Sequence, residues 1–157
     1  MMPLELNPSG VLSVSVHDTT LDTIELLFGQ ARRSTRRVTL FAKLKEYVTE
    51  LRSAEIRGSL IVDGSFVMGC VEEPDDIDIV LVLASDWDLK AELRPFQYNL
   101  ISKRDVKRKF PIDVYPVLAG SDAERKWTEF FLQINVKWHG PHGFANGSQK
   151  GLVRIPL

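Results

Sequence analysis

Apolar residues at Leu40, Phe41, Leu44, Tyr47, Val48 and Leu51 recur at helical spacing, which predicts one long amphipathic helix from about Ser34 to Arg57, closed by Gly58. Other stretches carry a different pattern. Leu60-Ile61-Val62 is a short unbroken apolar run, and Asp76-Ile77-Asp78-Ile79 alternates before passing into Val80-Leu81-Val82-Leu83. Both read as buried strands, the second as a central one. Phe110 to Val117 predicts a third strand and Leu152 to Ile155 a last short one. Ser121 is placed to cap an amphipathic helix carrying Trp127, Phe130, Phe131 and Ile134; Trp127, Phe130 and Phe131 read as core, with one of them open to a nucleotide base or a partner helix. Asp18 is placed to cap a helix through Leu21, Ile24 and Phe28, and a helical region weakened by Pro95 runs from Asp86 to Lys109. Leu4 to Val16 reads as a strand or extended arm, and Gly140 to Gly151 as a glycine-rich loop. Helices alternating with strands predict a single α/β (α+β) domain, a small mixed twisted sheet with flanking helices, preceded by an arm over about residues 1–17.

Composition narrows the function classes. With 157 residues, 44% hydrophobic and 26% charged, the chain has the content of an ordinary globular domain. A net charge of −1 gives no whole-molecule field for nucleic acid or membrane, and no membrane span or signal segment is visible. The single Cys70 excludes an internal disulfide and fits a reducing compartment, so the chain is expected to be cytoplasmic.

The chemistry concentrates in two places. Val62-Asp63-Gly64-Ser65 is a small turn on the end of a strand, and glycine there lets the backbone come close to a phosphate. Asp76 and Asp78 lie two apart on a strand and so point to one face. Two carboxylates at the mouth of a buried strand repel each other, which calls for a cation between them, and magnesium with a nucleotide's phosphates suits oxygen donors.

Together these residues resemble the nucleotidyltransferase superfamily, the fold of the DNA polymerase beta catalytic core: hydrophobic-x-Gly-Ser, ten residues, then Asp-hydrophobic-Asp-hydrophobic. A third carboxylate in a hydrophobic-Asp-hydrophobic setting completes that pattern, and Ile112-Asp113-Val114 supplies it. More narrowly, Asp63 to Val67 with Pro74 to Asp78, the Trp127 helix and the tail Lys150 to Ile155 are similar to an uncharacterised family of small prokaryotic and phage nucleotidyltransferase-like proteins. The resemblance covers the chain from about residue 18 onward. It implies catalytic, metal-holding roles for Asp76, Asp78 and Asp113 with two Mg²⁺ ions, or Mn²⁺ in their place, roughly 3.5–4 Å apart. It implies phosphate contacts from Gly64 and Ser65, a nucleoside triphosphate as substrate, and a protein, RNA or small-molecule hydroxyl as acceptor. A toxin–antitoxin or phage-defence setting is the context such relatives suggest.

The chain departs from that pattern at two positions. Met68 stands where many minimal relatives have an arginine, and Asp75 where they have a serine. The basic run Lys103 to Lys109 reads either as the internal replacement for the missing phosphate-facing cation, through Lys103 and Lys107, or as a solvated helix face. Asp75 is expected to cap its loop, and Asp63 is open to an ion pair with a basic neighbour. The knot Arg32, Arg33, Arg36 and Arg37 reads either as a clamp for RNA, triphosphate or an acidic partner, or as a solvated helix start. His139 and His142 lack partners at zinc spacing and read as loop residues. Two functions from different classes follow: a Mg²⁺-dependent nucleotidyltransferase, or a degenerate domain of the same fold that binds a partner protein or a nucleotide. An RNA-binding protein working through the arginine knot is a third.

Overall fold

The computed structural model describes residues 4–30, 34–87 and 94–157. Its centre is a five-stranded mixed sheet, open at both edges. The strands are β1 (Val16–Asp18), β2 (Gly58–Asp63), β3 (Ile77–Leu83), β4 (Ile112–Leu118) and β5 (Leu152–Pro156), arranged β1-β5-β2-β3-β4. β3 runs antiparallel to β2 and parallel to β4, and β5 lies antiparallel to β2 and parallel to β1. Six α-helices are described: α1 (Leu21–Ile24), α2 (Thr35–Ser53), α3 (Pro95–Ile101), α4 (Lys103–Lys109), α5 (Asp122–Leu132) and α6 (His139–His142). Among the described residues no helix is long and apolar enough to cross a membrane.

Every residue of β3 except Asp78 is buried, as the apolar run predicted, so the sheet is covered on both faces. The periodic positions of α2 supply much of that cover: Leu40, Leu44, Tyr47, Val48 and Leu51 are all fully buried. At sites of this kind a large-to-alanine change costs about 2–5 kcal/mol. α5 covers the face that carries Asp113, because Tyr115 on that face packs against Trp127 and Phe131 with ring centroids 4.3 and 5.4 Å away.

Several local expectations are corrected. Asp18 does not cap α1; it lies in β1 and pairs with Arg154 at 2.6 Å, while Thr20 is the cap and accepts from the Thr23 N–H. α1 runs on as a π-helical turn, Glu25–Gly29. α2 ends at Ser53 rather than at Gly58, its chain turning through Glu55 at φ 59°, and Gly58 opens β2 instead. Pro95 begins α3 at the position where a missing N–H costs nothing, and the basic run forms a separate helix after Ser102. The first part of the expected Asp86–Lys109 helix, residues 88–93, lies outside the described residues. Ser121 caps α5 by accepting from the Glu124 N–H, as predicted, but the helix stops before Ile134. Within the glycine-rich tail, His139 and His142 bound the short α6.

A candidate metal and nucleotide site

The strand register builds the site. Asp78 of β3 is paired with Asp113 of β4 on one side and with Asp63 of β2 on the other. Register partners on adjacent strands share a face, so three carboxylates form a row across the sheet. Asp76, two residues before Asp78, extends that face just beyond the strand end. One oxygen each from Asp76, Asp78 and Asp113 lies within 4.8 Å of the others.

Like charges held this close need a cation, and α4 brings one. Lys107 Nζ donates to Asp76 Oδ2 at 2.9 Å and to Asp113 Oδ2 at 3.1 Å. Asp78 receives no such bond. Burial, then the charges of Asp76 and Asp113, push its carboxyl up to about 6. For Asp76 burial works in the same direction, but hydrogen bonding, from Lys107 foremost, outweighs it and holds the carboxyl below the usual range. The donor set, all hard oxygens drawn from three separate chain positions, fits a divalent cation such as magnesium or manganese.

Gly64 follows β2 with φ +78°, and a Cβ there would stand 2.3 Å from Asp78 Oδ2. Only glycine permits both the left-handed turn and the contact with the carboxylate. Gly64–Val67 form a single 3₁₀ turn. The loop from there to Asp76 is fastened by the start of α2. Arg37, fully buried, donates to the carbonyls of Phe28, Ser65, Phe66, Met68 and Val71. Arg36 donates to Pro74 and Asp75 carbonyls, and the Ser34 hydroxyl to that of Glu72. The arginine knot is therefore neither an exposed clamp nor a solvated helix start at these two positions; its guanidinium groups hold the site's own loop. Arg32 and Arg33 lie outside the described residues.

A cavity of about 270 Å³ opens beside the row. Gly64, Ser65, Asp76 and Asp78 line one side, and Phe130, Val136 and Trp138 the other. Phe130, expected in the core, is 56% exposed and forms this wall. Of the two lysines expected at the phosphates, Lys107 stands on the carboxylates and Lys103 lies over the Tyr115 ring at 4.0 Å; neither lines the cavity. Lys137 and Lys150 do. Met68, at the departing position, is buried in an apolar cluster with Val11, Val71 and Ile134. Asp75 is exposed and outside the carboxylate cluster. Cys70 is held above its usual thiol range, chiefly by burial.

Residues 4–156 match a protein family of unknown function, DUF6932. The chain belongs to that family. No curated protein and no solved structure matches it. For this DUF6932 chain, then, the site itself carries the functional argument.

Sequence reasoning found Asp76, Asp78, Asp113, Gly64 and Ser65, which the fold brings to one end of the sheet. It did not find Asp63 and Lys150 as members of the site. Asp63 is fully buried, and neither carboxylate oxygen has a hydrogen-bond partner among the described residues. No ion pair forms between it and Lys150, although the two influence each other electrostatically. A polar residue beside the Gly64 turn, at the buried end of an apolar strand, was the one signal available.

Proposed function

We propose that the chain is a divalent-metal-dependent nucleotidyltransferase with a polymerase-beta-like catalytic fold, moving a nucleoside monophosphate from a triphosphate to an acceptor hydroxyl. The observation that carries this reading is the register of β3 with β4, which sets Asp78 beside Asp113 with Asp76 on the same face. The adjoining Gly64–Ser65 turn, and the cavity that it lines, support the nucleotide part of this reading.

Asp76, Asp78 and Asp113 would hold the metal ions. Bound there, Mg²⁺ or Mn²⁺ neutralises phosphate charge and lowers the pKa of an attacking hydroxyl. The chain's own groups do the rest. Gly64 lets the phosphates approach the backbone, and the Ser65 hydroxyl donates to a phosphate oxygen. Asp113, on the flank away from the cavity, faces the acceptor and accepts its hydroxyl proton. That oxygen forms a bond to the α-phosphorus as the bond to the pyrophosphate oxygen breaks. Phe130, Val136 and Trp138 offer an apolar wall of the kind that receives a flat base. A protein, RNA or small-molecule hydroxyl serves as acceptor.

A specific observation also favours the degenerate, partner-binding reading: Lys107 already satisfies Asp76 and Asp113. Incubation with α-labelled nucleoside triphosphates and Mg²⁺, alone and with RNA or host-cell protein, separates the two. Label transferred by the native chain and lost in Asp76→Asn/Asp78→Asn supports the enzyme. Absence of transfer to any acceptor, with intact folding, supports the binding module.

A further inference from the structure

We propose that Lys150 is the cation that receives the phosphate tail of a nucleotide in the cavity beside Gly64 and Ser65. The assignment rests on the nucleotidyl-transfer reading and deepens it, because it names the residue that replaces the missing arginine.

Lys150 is 2% exposed, yet it lines the cavity together with Gly64, Ser65 and Asp78. Its backbone is pinned on both sides. The Lys150 N–H donates to the Leu132 carbonyl at 2.8 Å and the Gly151 N–H to the Leu12 carbonyl at 2.9 Å. Gly151 itself is pressed so close to the arm that a Cβ would stand 2.1 Å from the Ser13 carbonyl oxygen. A lysine fixed this way loses little further freedom when it binds an anion.

Its ammonium is only partly satisfied by the protein. Of three N–H bonds, one goes to the Phe131 carbonyl. Among the described residues no carboxylate lies within ion-pair distance, and Asp63, the buried acid nearest in charge influence, makes no side-chain hydrogen bond. Burying an ammonium without a full set of acceptors is expensive, and a ligand oxygen in the cavity would complete the set. Burial, opposed by Asp63 and Asp78, holds Lys150 down at about 8.

The alternatives among the described residues are weaker. Met68 is apolar and buried, Lys107 is bound to Asp76 and Asp113, and Lys103 lies against Tyr115. Lys137 lines the cavity but its ammonium lies over the Trp138 ring at 4.9 Å. Lys150 alone combines burial, a fixed backbone and a place next to Gly64 and Ser65.

Calorimetric titration of the full chain with magnesium tripolyphosphate, which has no base or sugar, tests the assignment. Lys150→Met should weaken binding about ten- to hundredfold, the usual loss when a charge-assisted hydrogen bond to an anion is removed. Lys150→Arg should stay near the native value, and Asp63→Asn, which removes a competing acid, should bind as tightly or more tightly. Since Lys150→Met leaves Asp63 without its nearby cation, Asp63→Asn/Lys150→Met is titrated beside it, with thermal unfolding of each variant. Weak binding by a folded double variant supports the proposal. Native-like binding by either variant lacking Lys150 overturns it while leaving the nucleotidyl-transfer reading intact. Failure of the native chain to bind tripolyphosphate overturns both.

Discussion

Asp113 and Asp63 flank Asp78 from opposite sides, each with a lysine in attendance, but the two flanks are built on opposite terms. On the β4 side, Asp113 and Lys107 are partly exposed and joined by a 3.1 Å hydrogen bond. On the β2 side, Asp63 and Lys150 are buried and make no hydrogen bond to each other. An exposed pair of this kind is worth little, so a divalent cation or an incoming hydroxyl can displace the ammonium at small cost. A buried acid and a buried base held apart are a standing expense to the fold. The open flank is suited to exchange of partners and the closed flank to holding charge fixed. On the proposed nucleotidyl-transfer reading, that division would put the acceptor on the Asp113 side and the nucleotide's phosphates on the Lys150 side.

The comparison can be broken most severely at its centre. Asp76→Asn/Asp78→Asn should lower nucleotidyl transfer at least about a thousandfold, as loss of metal-held charge stabilisation does elsewhere, with little change in the circular dichroism spectrum. Gly64→Val comes next. Its Cβ would meet Asp78 Oδ2 in a left-handed turn, so transfer and triphosphate affinity should each fall roughly a hundredfold. Urea denaturation measured alongside separates misplacement from unfolding.

Asp78 yields a prediction of the opposite sign. Its carboxyl stands at about 6 in the fold against 3.8 in a free chain. Between these values the folded state binds more protons than the unfolded one, so the Asp78 contribution to stability declines as pH rises from about 4 to about 6. Asp78→Asn removes that decline. At pH 7 the variant should be more stable than the native chain by about 2–3 kcal/mol in metal-free buffer, while losing function. Denaturation midpoints at pH 4 and pH 7 test this; a native chain that gains stability over the interval, with no gain from the Asn variant, would contradict it.

The smallest effect belongs to the open flank. Lys107→Met should change stability by less than about 1 kcal/mol. Removal of a competing ammonium should also tighten Mn²⁺ binding several-fold at low salt, a difference that shrinks as ionic strength rises. Weaker Mn²⁺ binding in this variant would show that Lys107 orders the carboxylates rather than competing for them.

The two flanks were unequally legible in the sequence. Asp76 and Asp78 follow from the period of a strand, and Asp113 sits in a local pattern that needs no partner to be seen. The row they form with Asp63 depends on how β2 pairs with β3, a long-range register that local alternation does not specify. Lys150 reaches the cavity only because β5 returns to lie beside β2, so a lysine in a glycine-rich tail gives no local sign of its place. Arg37 misled for a related reason. In the sequence it belongs to a basic knot, and only the fold shows its guanidinium inside, taken up by loop carbonyls. The sequence reads Gly58 as closing a helix and Pro95 as weakening one from within, although Gly58 opens a strand and Pro95 a helix, since both residues mark either end of an element. The core, by contrast, was legible almost throughout, because the apolar periods of α2 and β3 require burial whatever their neighbours.

The account's central claim is that the carboxylate row holds metal for a nucleotide. Calorimetric titration of the native chain and Asp76→Asn/Asp78→Asn with ATP, GTP, CTP and UTP, each with and without Mg²⁺, addresses it most directly. The account predicts binding of at least one triphosphate by the native chain only when Mg²⁺ is present, and none by the variant. Binding that is indifferent to Mg²⁺ or to the two substitutions, or no binding of any triphosphate at millimolar concentration, would contradict it.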